Sequence, residues 1–248
     1  MTKNFGEEGR RLSYGSYLKV PELLALQQGM TEAHDELLFI VVHQAYELWF
    51  KVLLNELEAT RDAMFAGEAF AARHHLRRVK VIERLLVEQV EVLETMSPQD
   101  FLAFRSDLAP ASGFQSVQFR ELEFLSGLKN PAYLARLEAD TEERARLDRR
   151  LAEPSLWDGF LALVERNGSP PLVEIIRDRR QRPELFDVAE SLLDHDEAFA
   201  LWRSRHVLMV ERQIGGKTGT GGSTGAQYLR GTLDKRFFPA LWEVRSEL

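Results

Sequence analysis

The stretch LLFIVVHQAYELWFKVLL, from Leu37 to Leu54, carries apolar residues on nearly every side of a helical wheel. A surface helix needs only one apolar stripe, so this pattern predicts a helix buried inside a bundle. Outward from it, turn clusters such as FAGEA, SPQ, APASG, KNP, EPS, NGSPP and QRP divide the chain into long pieces rich in Leu, Ala, Glu and Arg. Residues 34–64, 67–96, 98–108, 114–127, 131–152, 155–167 and 184–214 read as helices, with little room for a sheet. The expected fold is all-α: a single-domain helical bundle over residues 11–248, after a flexible N-terminus at 1–10. One helix start is explicit: Ser97 as N-cap, Pro98 at the first helical position and Asp100 completing a capping box.

The composition limits the chemistry. A chain of 248 residues with 44% apolar content can bury a sizeable core. A net charge of -7 makes a nucleic-acid backbone an unsuitable partner, although Arg73, Arg77, Arg78, Lys80 and Arg84 make one helix locally basic, as a solvated or interface face would be. With no cysteine, disulfides, iron–sulfur clusters and thiolate ligation are all excluded, so any metal must rest on histidine or carboxylate. MTKNFGEEGR lacks a leader pattern and LLFIVV is far short of a membrane span, which predicts a soluble, cytoplasmic protein without membrane partners.

The segment ERQIGGKTGTGGSTG, Glu211–Gly225, invites a nucleotide reading, because Gly216-Lys217-Thr218 ends a P-loop pattern. The first glycine of that pattern would fall on Glu211, and the residues before it have helical periodicity. The stretch is better read as a helix C-terminus at Gly215-Gly216 followed by a mobile glycine-rich loop.

Six histidines are available: His34, His43, His74, His75, His195 and His206. None has Glu three residues before it, as a di-iron bundle requires, and no His-Glu-x-x-His occurs. His34-Asp35 and His195-Asp196 match the pairs of metal phosphohydrolases, but both sit among further acids and read as helix ends or surfaces. His74 and His75 fall in the basic helix and are expected to be exposed. His43 and His206 lie in strongly apolar helices. A lone histidine there is usually a satisfied core residue, but two of them make a haem pocket conceivable. Phe39 and Glu47 share a face with His43, and Phe101 lies one turn before Arg105, whose planar donor fork suits a carboxylate.

At these residues the sequence resembles the tryptophan 2,3-dioxygenase family. The resemblance is carried by RLSYGSYL (11–18), ELLFIVVHQAYELWFK (36–51), FRSDLAPASGFQSVQFRELEF (104–124), KNP (129–131), EPSLW (153–157), LWRSRH (201–206), GGKTGTGGSTG (215–225) and FFPALWEVRSEL (237–248), spread over almost the whole chain. It implies a haem enzyme that opens the indole C2–C3 bond of L-tryptophan with O2 to give N-formyl-L-kynurenine. One haem b per subunit would sit between helices with His206 on the iron and His43 on the distal side near the indole N–H. The resemblance also implies that Phe39 packs on the indole, with Phe101 one turn from Arg105 beside the substrate. Arg105 would take the carboxylate, Thr220 the charged end of the amino acid, and Ser112 would lie near the distal pocket and the haem. Tyr14, Tyr17 and Leu18 would reach the site from a neighbouring subunit of a homotetramer.

Three departures stand out against relatives. The segment between EPSLW and LWRSRH is short, Phe101 stands where many bacterial relatives have Tyr, and Val90 replaces a tryptophan near the haem. The alternatives are a haem monooxygenase acting on tryptophan or a substituted tryptophan, and a non-enzymatic helical haem-binding protein.

Overall fold

The computed structural model describes residues 13–248, so the flexible terminus expected at 1–10 lies outside the described residues. The α-helices run in order α1 Tyr14–Leu18, α2 Val20–Leu24, α3 Glu36–Ala66, α4 Ala69–Glu94, α5 Pro98–Arg105, α6 Val117–Leu125, α7 Glu142–Ala152, α8 Leu156–Arg166, α9 Leu172–Arg177, α10 Pro183–Ile214, α11 Ala226–Arg230 and α12 Pro239–Glu243. Short 3-10 turns occupy Gly113–Gln115, Pro131–Arg136 and Val244–Glu247, and no strand occurs among the described residues. The all-α expectation holds.

The long helix α4 packs against both other long helices, α3 and α10, and α6 and α8 close against α3. On α3, Val42, Tyr46, Phe50, Leu53, Leu57 and Met64 are buried, a helical spacing that points one broad face at the core. The Ser97 capping box forms as expected: its hydroxyl accepts from the Asp100 N–H and the Asp100 carboxylate accepts from the Ser97 N–H. Ser155 and Asp158 do the same for α8. Gly67 ends α3 at φ 83°, a left-handed conformation that favours glycine.

The structure corrects several expectations. The helix expected over 131–152 is two elements, because Asn130 caps the Pro131–Arg136 turn and Thr141 then caps α7. The expected 114–127 helix is likewise broken at Ser116, which caps α6. More important, α3 is not covered all round. Leu37, Val41, Leu48 and Val52 form an exposed stripe on the isolated chain, so an all-round apolar pattern marks a helix that needs cover without saying that its own chain supplies it.

By length and composition α3 would also pass for a membrane span. Its place against α4, α6 and α8, and the buried carboxylates of Glu36 and Glu56 that it carries, are those of a core helix. The basic helix α4 behaves as expected, with Arg73, Arg78, Lys80 and Arg84 paired to Asp187, Glu56, Asp194 and Glu88. His74 is exposed, but His75 is half-buried with its Nδ1 2.8 Å from Glu56.

The surface placement of His195-Asp196 is wrong. Both are buried. The His195 ring bonds to Glu83 and Ser126, and Asp196 Oδ2 accepts from the N–H groups of Phe237 and Phe238 and from the Trp242 indole. Both His195 nitrogens are engaged, Asp196 Oδ1 alone is left without a partner, and no group of three or more metal-binding side chains occurs among the described residues, so the phosphohydrolase reading has no metal seat. The neighbouring acids suggested a surface because their partners come from elements remote in sequence.

Candidate active site

A cavity of about 300 Å³ opens between α3, α5, α10 and the glycine-rich segment. This is the small end of the roughly 300–1,000 Å³ seen for ligand pockets. Its walls include Phe39, His43, Phe101, Arg105, Ser112, His206 and Thr220, so most of the site residues expected from sequence share one space. Tyr14, Tyr17 and Leu18 do not line it; they sit exposed on α1.

His43 comes from the middle of α3. Its Nδ1 lies 2.7 Å from the Phe39 carbonyl, and since a carbonyl can only accept, Nδ1 carries the hydrogen. Nε2 is then the acceptor nitrogen. Burial holds the ring below its ordinary pKa, opposed by the Phe39 carbonyl and the Glu47 carboxylate. Phe39 packs on the ring with centroids 4.0 Å apart, and Phe101 lies 5.8 Å from Phe39.

His206 comes from the last third of α10. Burial, with a contribution from nearby His43, depresses its pKa from 6.5 to about 4, so it is a neutral imidazole near pH 7. Among the described residues neither ring nitrogen has a hydrogen-bond partner. Its neighbour is instead the Trp202 indole, stacked at 5.1 Å with an interplanar angle of 6°. Trp202 precedes His206 by four residues, a spacing that could have exposed it to sequence reasoning.

This depression fixes a pH dependence for the ligand-free protein. Between pH 6.5 and about 4 the unfolded chain takes up a proton that the folded ring refuses, so stability falls as pH falls through that window. The urea midpoint of the wild-type chain is expected to drop more steeply there than that of His206→Phe. Equal slopes would show that the ring is not held neutral.

The glycine-rich segment lies over the cavity mouth. Arg105 donates to the Thr218 carbonyl, and the Thr220 hydroxyl donates to the Ala111 carbonyl at 2.6 Å. Gly221 seats directly on Ser112, where an added Cβ would stand 2.7 Å from the serine Cβ. Gly225 turns the chain at φ 63° with the Lys217 carbonyl against the space a Cβ would need. The glycines thus permit a close backbone approach to the cavity rim rather than a phosphate cradle.

Sequence reasoning missed a charged end to this cavity. Arg120 and Arg203 are both buried, both pair with Glu123, at 2.6 and 3.1 Å, and all three line the cavity. The Arg120 guanidinium lies 3.9 Å from the Tyr133 ring centroid, and its Nε is buried without a partner. Two guanidinium groups against one carboxylate leave that end cationic, suited to an anionic ligand group.

Two neutral imidazoles, an apolar wall and cationic groups share one cavity of an all-helical chain beneath the glycine-rich segment, and comparison with known proteins gives the class. The family model described as tryptophan 2,3-dioxygenase matches residues 2–172 and 170–248, and the break falls inside the segment expected to be short. The chain is similar to the tryptophan 2,3-dioxygenase of a Nocardioides species, with 56% identity over 99% of this chain and 98% of that protein. It is also similar to the enzymes of the same name from Herpetosiphon aurantiacus, with 48% identity over 96% and 98%, and Caulobacter vibrioides, with 40% over 96% and 98%.

The chain belongs to the tryptophan 2,3-dioxygenase family. It is accordingly an enzyme of oxidative tryptophan cleavage.

Proposed function

We propose that this chain binds haem b, one per subunit, in the cavity between His43 and His206 and there opens the indole C2–C3 bond of L-tryptophan with O2, giving N-formyl-L-kynurenine. The observation that carries this reading is the pair of neutral imidazoles on one apolar cavity, one with both nitrogens unpartnered and the other with a free acceptor nitrogen. The residues fit the cofactor. Among the described residues no cluster of three or more His or carboxylate ligands exists, so a metal held by protein alone has no seat, whereas a porphyrin iron needs a single imidazole. The unpartnered Nε of Arg120 fits a propionate.

Ferrous haem, when bound, supplies the site at which O2 is activated. The protein does the rest. His206 would hold the iron through its neutral ring. His43 accepts the indole N–H at Nε2, and Phe39 and Phe101 fix the plane of the ring by packing. Arg105 turns from the Thr218 carbonyl to the substrate carboxylate, and Thr220 meets the charged end of the amino acid while the segment from Gly216 to Gly225 excludes water. Ser112 lies beneath this lid, in the cavity wall, and would stand near the haem. Both atoms of O2 enter the product, and no proton need leave the substrate for good. An optical spectrum of the purified protein tests the cofactor: a Soret band with a ferrous–CO adduct is expected, together with O2-dependent loss of L-tryptophan.

Because the indole N–H is a poor acid, His43 orients and polarises rather than serving as an obligatory base. His43→Ala is expected to retain measurable turnover with altered affinity. Complete loss with haem and substrate binding preserved would instead require proton transfer at His43.

Thr220→Val keeps the shape of the lid residue and removes its hydroxyl. It is expected to raise the Michaelis constant for L-tryptophan and leave the lid cleavable near Lys217 with substrate present, whereas substrate protects the wild type. Equal cleavage of the wild type with and without bound L-tryptophan would reduce the segment to a linker.

Self-association as a homotetramer fits the exposed apolar stripe on α3 and the exposed Tyr14, Tyr17 and Leu18 on α1, which would complete a neighbour's site. A cytoplasmic location suits a catabolic enzyme of this class.

A further inference from the structure

The glycine-rich segment runs between two glycines held in nearly the same backbone shape, Gly215 at φ 56° and ψ -130° and Gly225 at φ 63° and ψ -131°. A side chain would be strained at either point, so both are natural joints. The first is carried by α10, a helix of 32 residues with one face in the core. The second is carried by α11, which has only 5 residues and buries only Ala226. So short a helix does not hold itself in place. Its ion pair, from Arg230 to Glu211, lies at the surface, where such a pair contributes little. The polar tether into the interior is Tyr228, three residues past the joint. Its hydroxyl lies 3.2 Å from that of Tyr133, and its ring packs edge-on against Phe114 with centroids 5.3 Å apart.

We infer that the Tyr133–Tyr228 hydroxyl pair anchors the second joint of the lid and makes both tyrosines positioning residues for its closure over substrate. Tyr133 is a firm post. It is buried in the turn Pro131–Arg136, which Asn130 caps, and its ring carries the Arg120 guanidinium at the cationic end of the cavity. Phe114 packs on both tyrosine rings, and two residues before it stands Ser112, the seat of Gly221. The rim seat of the lid and its second joint are therefore tied to one aromatic cluster. Tyr228 also lines the cavity, so a shift of α11 would change the wall as well as the lid. Burial and the bond to Tyr133 push the Tyr228 phenol up to about 12, against the pull of Arg120 and Lys235, so this hydroxyl keeps its proton near neutral pH.

The closure step rests on the proposed role of the segment as a lid over L-tryptophan; the anchor does not, and hydrogen–deuterium exchange on the protein as purified tests it. The N–H groups of Lys217, Gly219 and Gly222 bond to the carbonyls of Ile214, Ser223 and Gly219, so their exchange reports the order of the segment. Without substrate, that exchange is expected to quicken by about 2- to 12-fold in Tyr228→Phe and in Tyr133→Phe, the span of one hydrogen bond between neutral groups. The double variant is expected to add nothing further, and exchange in the core helix α4 to stay unchanged. Unaltered exchange of the segment in both single variants, additive effects in the double variant, or equal acceleration in α4 would overturn the anchor. In turnover, each single variant is expected to raise the Michaelis constant for L-tryptophan by a similar factor at nearly constant kcat. An unmoved Michaelis constant would refute the positioning role. If L-tryptophan does not slow exchange of the segment in the wild type, the lid reading fails, while exchange without substrate still decides the anchor.

Discussion

Replacing Arg105 by leucine is expected to leave haem content unchanged and to lower kcat/KM for L-tryptophan by a factor of about thirty to several thousand. The range follows from the roughly 2 to 5 kcal/mol lost when one partner of an enclosed charge pair is removed. Arg105 sits at the last turn of α5, in the cavity wall and under the lid, with a side chain that already reaches the Thr218 backbone. The same guanidinium therefore has two alternative acceptors, the lid carbonyl or a substrate carboxylate, and binding of the amino acid exchanges one for the other. An indole substrate without a carboxylate is the control, and its turnover should change little. An equal loss for both substrates would make Arg105 structural.

His206→Ala is expected to remove haem from the purified protein or to replace the wild-type spectrum by that of a different axial ligand. Outer partners of metal-bound histidines alone are worth about 10- to 100-fold in affinity, and loss of the ligand itself should exceed that. The effect should be specific. The ring makes no hydrogen bond among the described residues and its removal breaks no polar network, so the helical fold should survive by circular dichroism. Retention of the wild-type Soret band and ferrous–CO spectrum would contradict the assignment.

Local signals explain why so much of this site could be read from the sequence. The i to i+4 rule put Phe39, His43 and Glu47 on one face of α3 and Phe101 beside Arg105 on α5, and helical geometry delivers all five to the cavity. The Ser97 capping box fixed the start of α5 and with it the phase of Arg105. What could not be read depends on contacts between distant segments. His195 looked like a surface residue among acids because its partners, Glu83 and Ser126, come from α4 and the end of α6. The cationic end formed by Arg120 and Arg203 depends on α6 lying against α10 through Glu123. The uncovered stripe of Leu37, Val41, Leu48 and Val52 shows a further limit, since an apolar pattern records that a surface must be covered but not by which chain.

The most direct measurement of the central assignment is product analysis after turnover of L-tryptophan under 18O2, with mass spectrometry of the product. N-formyl-L-kynurenine carrying both labelled atoms is the expected result. A product with one labelled atom and an intact C2–C3 bond, or no O2-dependent product from haem-replete protein, would contradict it.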